Sequence, residues 1–449
     1  MCRVPTIRFL SALAATLLAG AVLLGGCGGE PASEGRIVLI GVDGLCWETL
    51  NRWEAAEDNA DYAWFRENAY VGPLQTIMPT KSPIIWTSVA TGARPEDHGV
   101  VGFLSRVREF YEAFGGQTPI SSLEVRRYPF WEIIKERPSY VVGWWATWPA
   151  LPLNGVMVTD KFYFWRDMMK HGESCGPATQ IVYPPEIESD LTALRRGPDS
   201  VTVQEIQRFL DVPADVAAQM AKDRERLVKG ETLQRIEHEF PLLYSMDETY
   251  YAVAETLLAT GADDGIFAIY IRGPDIMGHA TMFCSKLYED TAATPQDREL
   301  YGEALTRYYA YTFAQLRKLV DLAGEDALVI IASDHGFERP PEDWVRWGHG
   351  HKPDGTIIAL GGGIPAPGEA VPAHIYDLAP TVLWLAGHEA AGDMPGHPLT
   401  GLFPEVRREV LPRRATYGVR SVELPDATLG PQAGDEQMVE LLRSLGYIE

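Results

Sequence analysis

Four short runs of the chain are apolar on both faces, and acidic residues gather at their ends. Ile37–Val42 runs straight into Asp43, Ile266–Ile271 ends shortly before Asp275, and Ala327–Ala332 ends shortly before Asp334. The fourth, Thr356–Leu360, follows His351 and leads into Gly361-Gly362-Gly363. A strand without polar alternation has no face for water. It belongs inside a layered domain, most often in a parallel sheet. Helical periodicity between the runs, as in Leu300–Ala323, supplies the covering layers. The expected fold class is α/β: a sandwich with a mostly parallel central sheet and helices on both faces. In such a sheet ligands bind at the carboxyl ends of the strands, where these aspartates fall.

Composition narrows the function. The chain has 449 residues, 46% of them hydrophobic, so a large core is available and global disorder is excluded. Its 39 basic and 62 acidic residues give a net charge of -23, a surface that repels phosphate backbones, so no nucleic acid polymer is expected as partner. A small phosphorylated substrate remains compatible, because a local cation reverses the field inside a pocket. No phosphate-binding P-loop, dinucleotide-binding glycine motif or internal repeat is present. Between Asp160 and Tyr250 the pattern becomes charged and helical, which we read as an inserted cap at about 161–250. The catalytic domain is expected over 36–405 and a C-terminal extension over 406–449, with a short helix at Glu440–Tyr447.

The N-terminus has the layout of a secretory signal. Arg3 and Arg8 precede an uncharged, mostly apolar stretch, Phe9–Leu24, which is short for a membrane span. Small residues lead into Cys27 and resemble a bacterial lipobox. By that resemblance residues 1–26 are a signal peptide, Cys27 carries a lipid, and 27–35 form a tether. The protein is then an exported lipoprotein anchored to the membrane of a bacterial cell envelope. Without Cys2 and Cys27, three cysteines remain (Cys46, Cys175 and Cys284), so at most one disulfide forms. No C-x-x-C pair exists, which excludes a zinc-finger type of site.

The chemistry-bearing residues follow the strands. Asp43 lies in Val42-Asp43-Gly44 and Asp334 in Asp334-His335-Gly336. Asp275 and His279 are four residues apart, a spacing that puts both on one helix face. His349 and His351 lie further on. Carboxylate and imidazole together suit zinc or another first-row divalent ion. In Thr80-Lys81-Ser82-Pro83, proline suits the first position of a helix and Ser82 its N-cap. A hydroxyl there is a nucleophile inside an anion site. Thr80 is the competing hydroxyl.

These motifs, with Thr91-Gly92-Ala93-Arg94-Pro95-Glu96-Asp97-His98-Gly99 between them, occur in the order seen in the alkaline phosphatase superfamily. The chain resembles its type I phosphodiesterase/nucleotide pyrophosphatase branch over roughly residues 36–400. The resemblance implies a metal-dependent phosphoric ester hydrolase with two divalent ions, zinc first and manganese as the alternative. Asp43, Asp334 and His335 would hold one ion; Asp275, His279 and His351 would hold the other, with His349 competing for the last place. Ser82 falls on the family's nucleophilic threonine and would also touch metal. The substrate would be a small phosphoester. Two departures stand out. Ser82-Pro83-Ile84-Ile85 replaces the family's Thr-Phe-Pro-Asn, and Phe103 stands near an asparagine that contacts phosphate in nucleotide pyrophosphatases. The sulfatase branch needs Cys-x-Pro-x-Arg, and Cys46-Trp47-Glu48 does not match it. The alternatives are a phosphomonoesterase or phosphoryl transferase of the same superfamily, or an inactive metal-binding lipoprotein. The aromatic group Trp144, Trp145, Trp148, Phe162, Phe164 and Trp165 is a substrate-contact or core candidate, and Lys81, Arg126, Arg127 and Arg272 are phosphate-binding candidates whose default reading is exposed salt bridges.

Overall fold

The computed structural model describes residues 35–56, 59–105, 119–163, 180–221, 235–290, 292–339, 347–351, 353–363, 365, 370–422 and 439. The expected signal peptide, Cys27, nearly all of the tether, Phe164, Trp165, Cys175 and the helix at 440–447 lie outside these residues. Among the described residues no helix is long and apolar enough to cross a membrane.

Eight strands make one sheet: β1 (Ile37–Val42), β2 (Tyr70–Leu74), β3 (Ser139–Val142), β4 (Gly155–Val158), β5 (Val182–Tyr183), β6 (Ile266–Ile271), β7 (Leu328–Ala332) and β8 (Gly355–Leu360). Their spatial order is β2-β8-β7-β1-β6-β3-β4-β5. The central block β7-β1-β6-β3-β4 is parallel, whereas β8 runs antiparallel to β7 and β2, and β5 antiparallel to β4. β1 and β6 are buried at every position, as unbroken apolar runs require. Thr356–Leu360, although equally buried, is antiparallel: burial on both faces fixes depth in the sheet, not strand direction.

Helices cover the sheet on both faces. Ser82–Thr91 and Leu378–Leu385 are buried at every residue and pack on each other. Arg235–Thr260 packs against β6, β3, Gly273–Thr281 and Ala304–Ala323. In the stretch expected to form a cap, Val182–Tyr183 extends the sheet, and Phe209 meets Phe240, Tyr244 and Tyr308 at ring distances of 5.1, 5.4 and 5.5 Å. That aromatic cluster fastens the helix Val203–Phe209 to the core. Beyond residue 405, Arg420 is buried and grips both carboxylate oxygens of Glu132 at 2.8 Å, with further bonds to the carbonyls of Ser122 and Val125. Cys46 and Cys284 are buried free thiols.

Candidate active site

Three neighbouring strands deliver the acidic residues to one edge. In the parallel register Val42 of β1 lies opposite Ile271 of β6, and Gly41 opposite Ala332 of β7. The chain therefore leaves β1 at Asp43, β6 toward Asp275 and β7 at Asp334 side by side. Gly44 makes the junction possible. Its φ is +66°, and a Cβ there would come within 2.6 Å of the Asp275 Cα, so only glycine lets these segments touch. Its N–H donates to Asp334 Oδ1 at 3.2 Å. Asp275 and His279 do share a helix, Gly273–Thr281, whose first N–H donates to the buried Asp247 at 3.1 Å. Asp247 also accepts from Tyr308 at 2.8 Å.

The side chains converge. His335 Nε2 lies 3.5 Å from Asp43 Oδ1, 3.4 Å from Asp334 Oδ2 and 4.0 Å from Asp275 Oδ1. His279 Nε2 lies 3.5 Å from Asp275 Oδ1. The His349 ring stacks on His335 with centroids 3.9 Å apart and meets His279 edge-on at 5.2 Å. Ser82 is the first helical residue rather than the N-cap, with Lys81 extended before it and Pro83 in the first turn. Its hydroxyl donates to Asp43 Oδ1 at 3.4 Å. Thr80 is engaged elsewhere, donating to the His349 carbonyl.

One expectation is corrected. His351 lies away from the cluster: its side chain is 70% exposed and its Nδ1 pairs with Glu338 at 2.8 Å. His349 occupies the inner position instead. A bridge between Glu338 and Gly348, together with the Thr80 bond, sets which of the two histidines turns inward. Sequence distance to the next strand carries no such information.

Burial shapes the electrostatics. Desolvation, then the neighbouring Asp334, pushes the Asp43 carboxyl well above its ordinary range. Asp334 is pushed up to about 7 by burial. Burial lowers His335, and burial with His335 and His279 nearby lowers His349 well below the ordinary value. Buried carboxylates crowded together repel one another, while dry imidazoles are held neutral. Neutral imidazole is the metal-ligand form, and crowded carboxyls that resist ionisation on their own would be drawn to the carboxylate form by a cation that offsets their charge. Two groups, Asp43/Asp334/His335 and Asp275/His335/His349, have donor atoms within 4.8 Å of one another. Asp334 Oδ2 and His335 Nε2 are buried without a hydrogen-bond partner among the described residues. The donor set and these orphaned atoms fit divalent cations.

Several residues were missed or misread in the sequence. Tyr270, the only polar-tipped side chain in β6, donates its hydroxyl to Asp43 Oδ2. Trp145 Nε1 donates to the Tyr270 oxygen at 2.7 Å. Arg272 is buried over the Trp145 ring at 4.3 Å and is not an exposed salt-bridge residue. Arg127 does pair with Asp97, at 3.3 Å. Trp144 is a core residue whose indole bonds the Trp86 carbonyl, and Phe103 packs against Trp145. His98 is fully buried beside Ser88, and burial lowers it to about 3, as befits a structural histidine.

Residues 37–366 match the type I phosphodiesterase / nucleotide pyrophosphatase family. No curated protein matches the chain. Among solved structures, the chain is similar to the wild-type alkaline phosphatase PafA, with 12% identity and a TM-score of 0.50 over 84% of this chain and 100% of that one. A mutant of the same phosphatase gives 13% identity and a TM-score of 0.50 over 83% and 99%. A phosphonoacetate hydrolase from Sinorhizobium meliloti is similar at 14% identity and a TM-score of 0.38 over 69% of this chain and 58% of its own. At 12–13% identity the likeness to PafA is one of fold. The family match spans most of the chain: the protein belongs to the type I phosphodiesterase / nucleotide pyrophosphatase family, a branch of the alkaline phosphatase superfamily. It is a phosphoryl hydrolase of that metal-dependent superfamily, with Asp/His clusters able to bind metal.

Proposed function

We propose that the protein hydrolyses small phosphodiesters, with Ser82 as nucleophile beside two divalent ions. Asp43, Asp334 and His335 would hold one ion, and Asp275, His279 and His349 the other. Zinc suits this nitrogen-rich set best, with manganese as alternative. Bound ions supply charge neutralisation at the phosphoryl oxygens and lower the pKa of a coordinated hydroxyl. The observation that carries the reading is convergence on one atom. The Ser82 hydroxyl and His335 Nε2 both meet Asp43 Oδ1, at 3.4 and 3.5 Å.

The chain's own groups then have defined tasks. Ser82 sits at the N-terminus of a fully buried helix, whose dipole favours a phosphoryl anion. The Ser82 Oγ–P bond forms as the bond from phosphorus to the leaving oxygen breaks, and the departing alkoxide takes up a proton as the Ser82 hydroxyl gives one up. Water then cleaves the phosphoserine and restores the hydroxyl. Burial of Asp43, Asp334 and His335 excludes bulk water from this exchange. The test is a panel of mono- and diesters with zinc- or manganese-loaded protein, followed by mapping of the phosphorylated peptide. Label on Thr80, or monoesters turned over faster than every diester, would overturn the reading.

The sequence around Cys27 supports export and lipid anchoring. Fatty-acid labelling of the wild type and of Cys27→Ser tests this, and an unlabelled wild type would refute it.

A further inference from the structure

Asp43 uses its two oxygens differently. Oδ1 faces the cluster, meeting Ser82 and His335, while Oδ2 turns to the Tyr270 hydroxyl. The direction of the Tyr270 bond is fixed by its other neighbour. Trp145 Nε1 lies 2.7 Å from the phenol oxygen, and an indole N–H only donates. The phenol proton cannot point at the indole, so it points at the carboxylate.

The phenol is also held in place. Tyr270 lies opposite Gly41 in the parallel β1–β6 register, and a Cβ at Gly41 would come within 2.5 Å of the Trp86 ring. The missing side chain leaves room for Trp86, whose ring meets Tyr270 at 5.2 Å. Trp86 stands one turn beyond Ser82 on the same helix. Trp145 is locked in turn between Phe103 at 5.7 Å and the Arg272 guanidinium at 4.3 Å. Tyr270 thus sits between the helix that bears Ser82 and the carboxylate that Ser82 touches.

We propose that Trp145 and Tyr270 are positioning residues, a hydrogen-bond relay that holds Asp43 Oδ2 so that Oδ1 presents itself to a metal ion. The proposal rests on the two-ion reading above. A ligating carboxylate with its second oxygen bonded is already oriented, and loss of such a partner weakens metal binding by about 10–100-fold. Tyr270→Phe removes only the hydroxyl, and Trp145→Phe only the indole donor and part of a ring.

The experiment titrates metal-free wild type, Tyr270→Phe, Trp145→Phe and Asp43→Ala with zinc against a competing chelator. Unfolding of the metal-free proteins is followed in parallel. Tyr270→Phe is expected to weaken one of two zinc ions by about 10–100-fold and to leave the other at the wild-type affinity, with some loss of metal-free stability because the Trp145 N–H loses its acceptor. Trp145→Phe should weaken the same ion by a smaller factor. A shift below about tenfold for Tyr270→Phe, with Asp43→Ala short of one ion, overturns the relay alone. So does an equal weakening of both ions, which marks a general packing role. Retention of both ions by Asp43→Ala would instead sink the two-ion reading, and the relay with it.

Discussion

The two halves of the candidate centre are built differently. Asp43, Asp334 and His335 come directly off the ends of β1 and β7, adjacent strands of a parallel sheet. Asp275, His279 and His349 come from a helix and from a loop pinned by Glu338 and Thr80. Strand register places a residue through a ladder of backbone bonds, so in the first half partners such as Tyr270 only aim a carboxylate already in place. The second half depends on contacts made by Gly44, Asp247, Glu338 and Thr80. Strand ends fix where the donors stand; helix and loop donors stand where contacts distant in sequence put them.

The comparison breaks most visibly at Ser82, which borders the strand-end half. Ser82→Ala should lower kcat/KM on the order of 10³-fold or more while zinc content stays at the wild-type level. Thr80→Ala, bordering the loop half, should mainly loosen zinc and leave most of the turnover in saturating metal. Equal losses of turnover in the two variants would erase the distinction between them.

His349→Ala against His351→Ala sharpens the loop half. Removing the inner histidine should weaken one ion by about 100-fold or more, a direct ligand counting for more than an orienting partner. His351→Ala, which removes an exposed contact with Glu338, should leave zinc affinity nearly unchanged. Chelator titration of both variants decides it, and a reversed order would restore His351 as the inner residue.

At the seam between the halves, Gly44→Ala should cost about 1–3 kcal/mol of stability, from the left-handed backbone and the collision with Asp275. Urea unfolding of the metal-free protein measures it. A loss under about 0.5 kcal/mol would show the two segments to be separable.

A pH-dependent effect is expected at Asp247. Burial pushes its carboxyl from 3.8 up to about 7. The folded chain therefore binds this proton more tightly than the unfolded chain, and stability falls as pH rises from about 4 to about 7. Asp247→Asn, with an oxygen still able to accept from Gly273 and Tyr308, should flatten that part of the stability profile. An unchanged slope between pH 4 and 7 in thermal unfolding would count against the raised value.

The expected apolar runs were readable because full burial leaves no room for polar alternation, and β1, β6 and β7 form where they lie. The edge strand β2, with Pro73 in it, has no such signature. Asp43, Ser82, Asp275, His279, Asp334 and His335 could be picked out because short-range signals mark them: a strand end, a helix start, an i,i+4 pair. The structure brings all six together. What the amino-acid order alone determined is this local placement, since strand ends and helix starts are set by neighbouring residues. What only the tertiary structure decided is direction. The Glu338–Gly348 bridge turns His349 inward and leaves His351 in solvent. The parallel register sets Tyr270 over Gly41, beside Trp145 and against Asp43. Both outcomes depend on partners far away in sequence, and a side chain's facing is fixed only when those partners arrive.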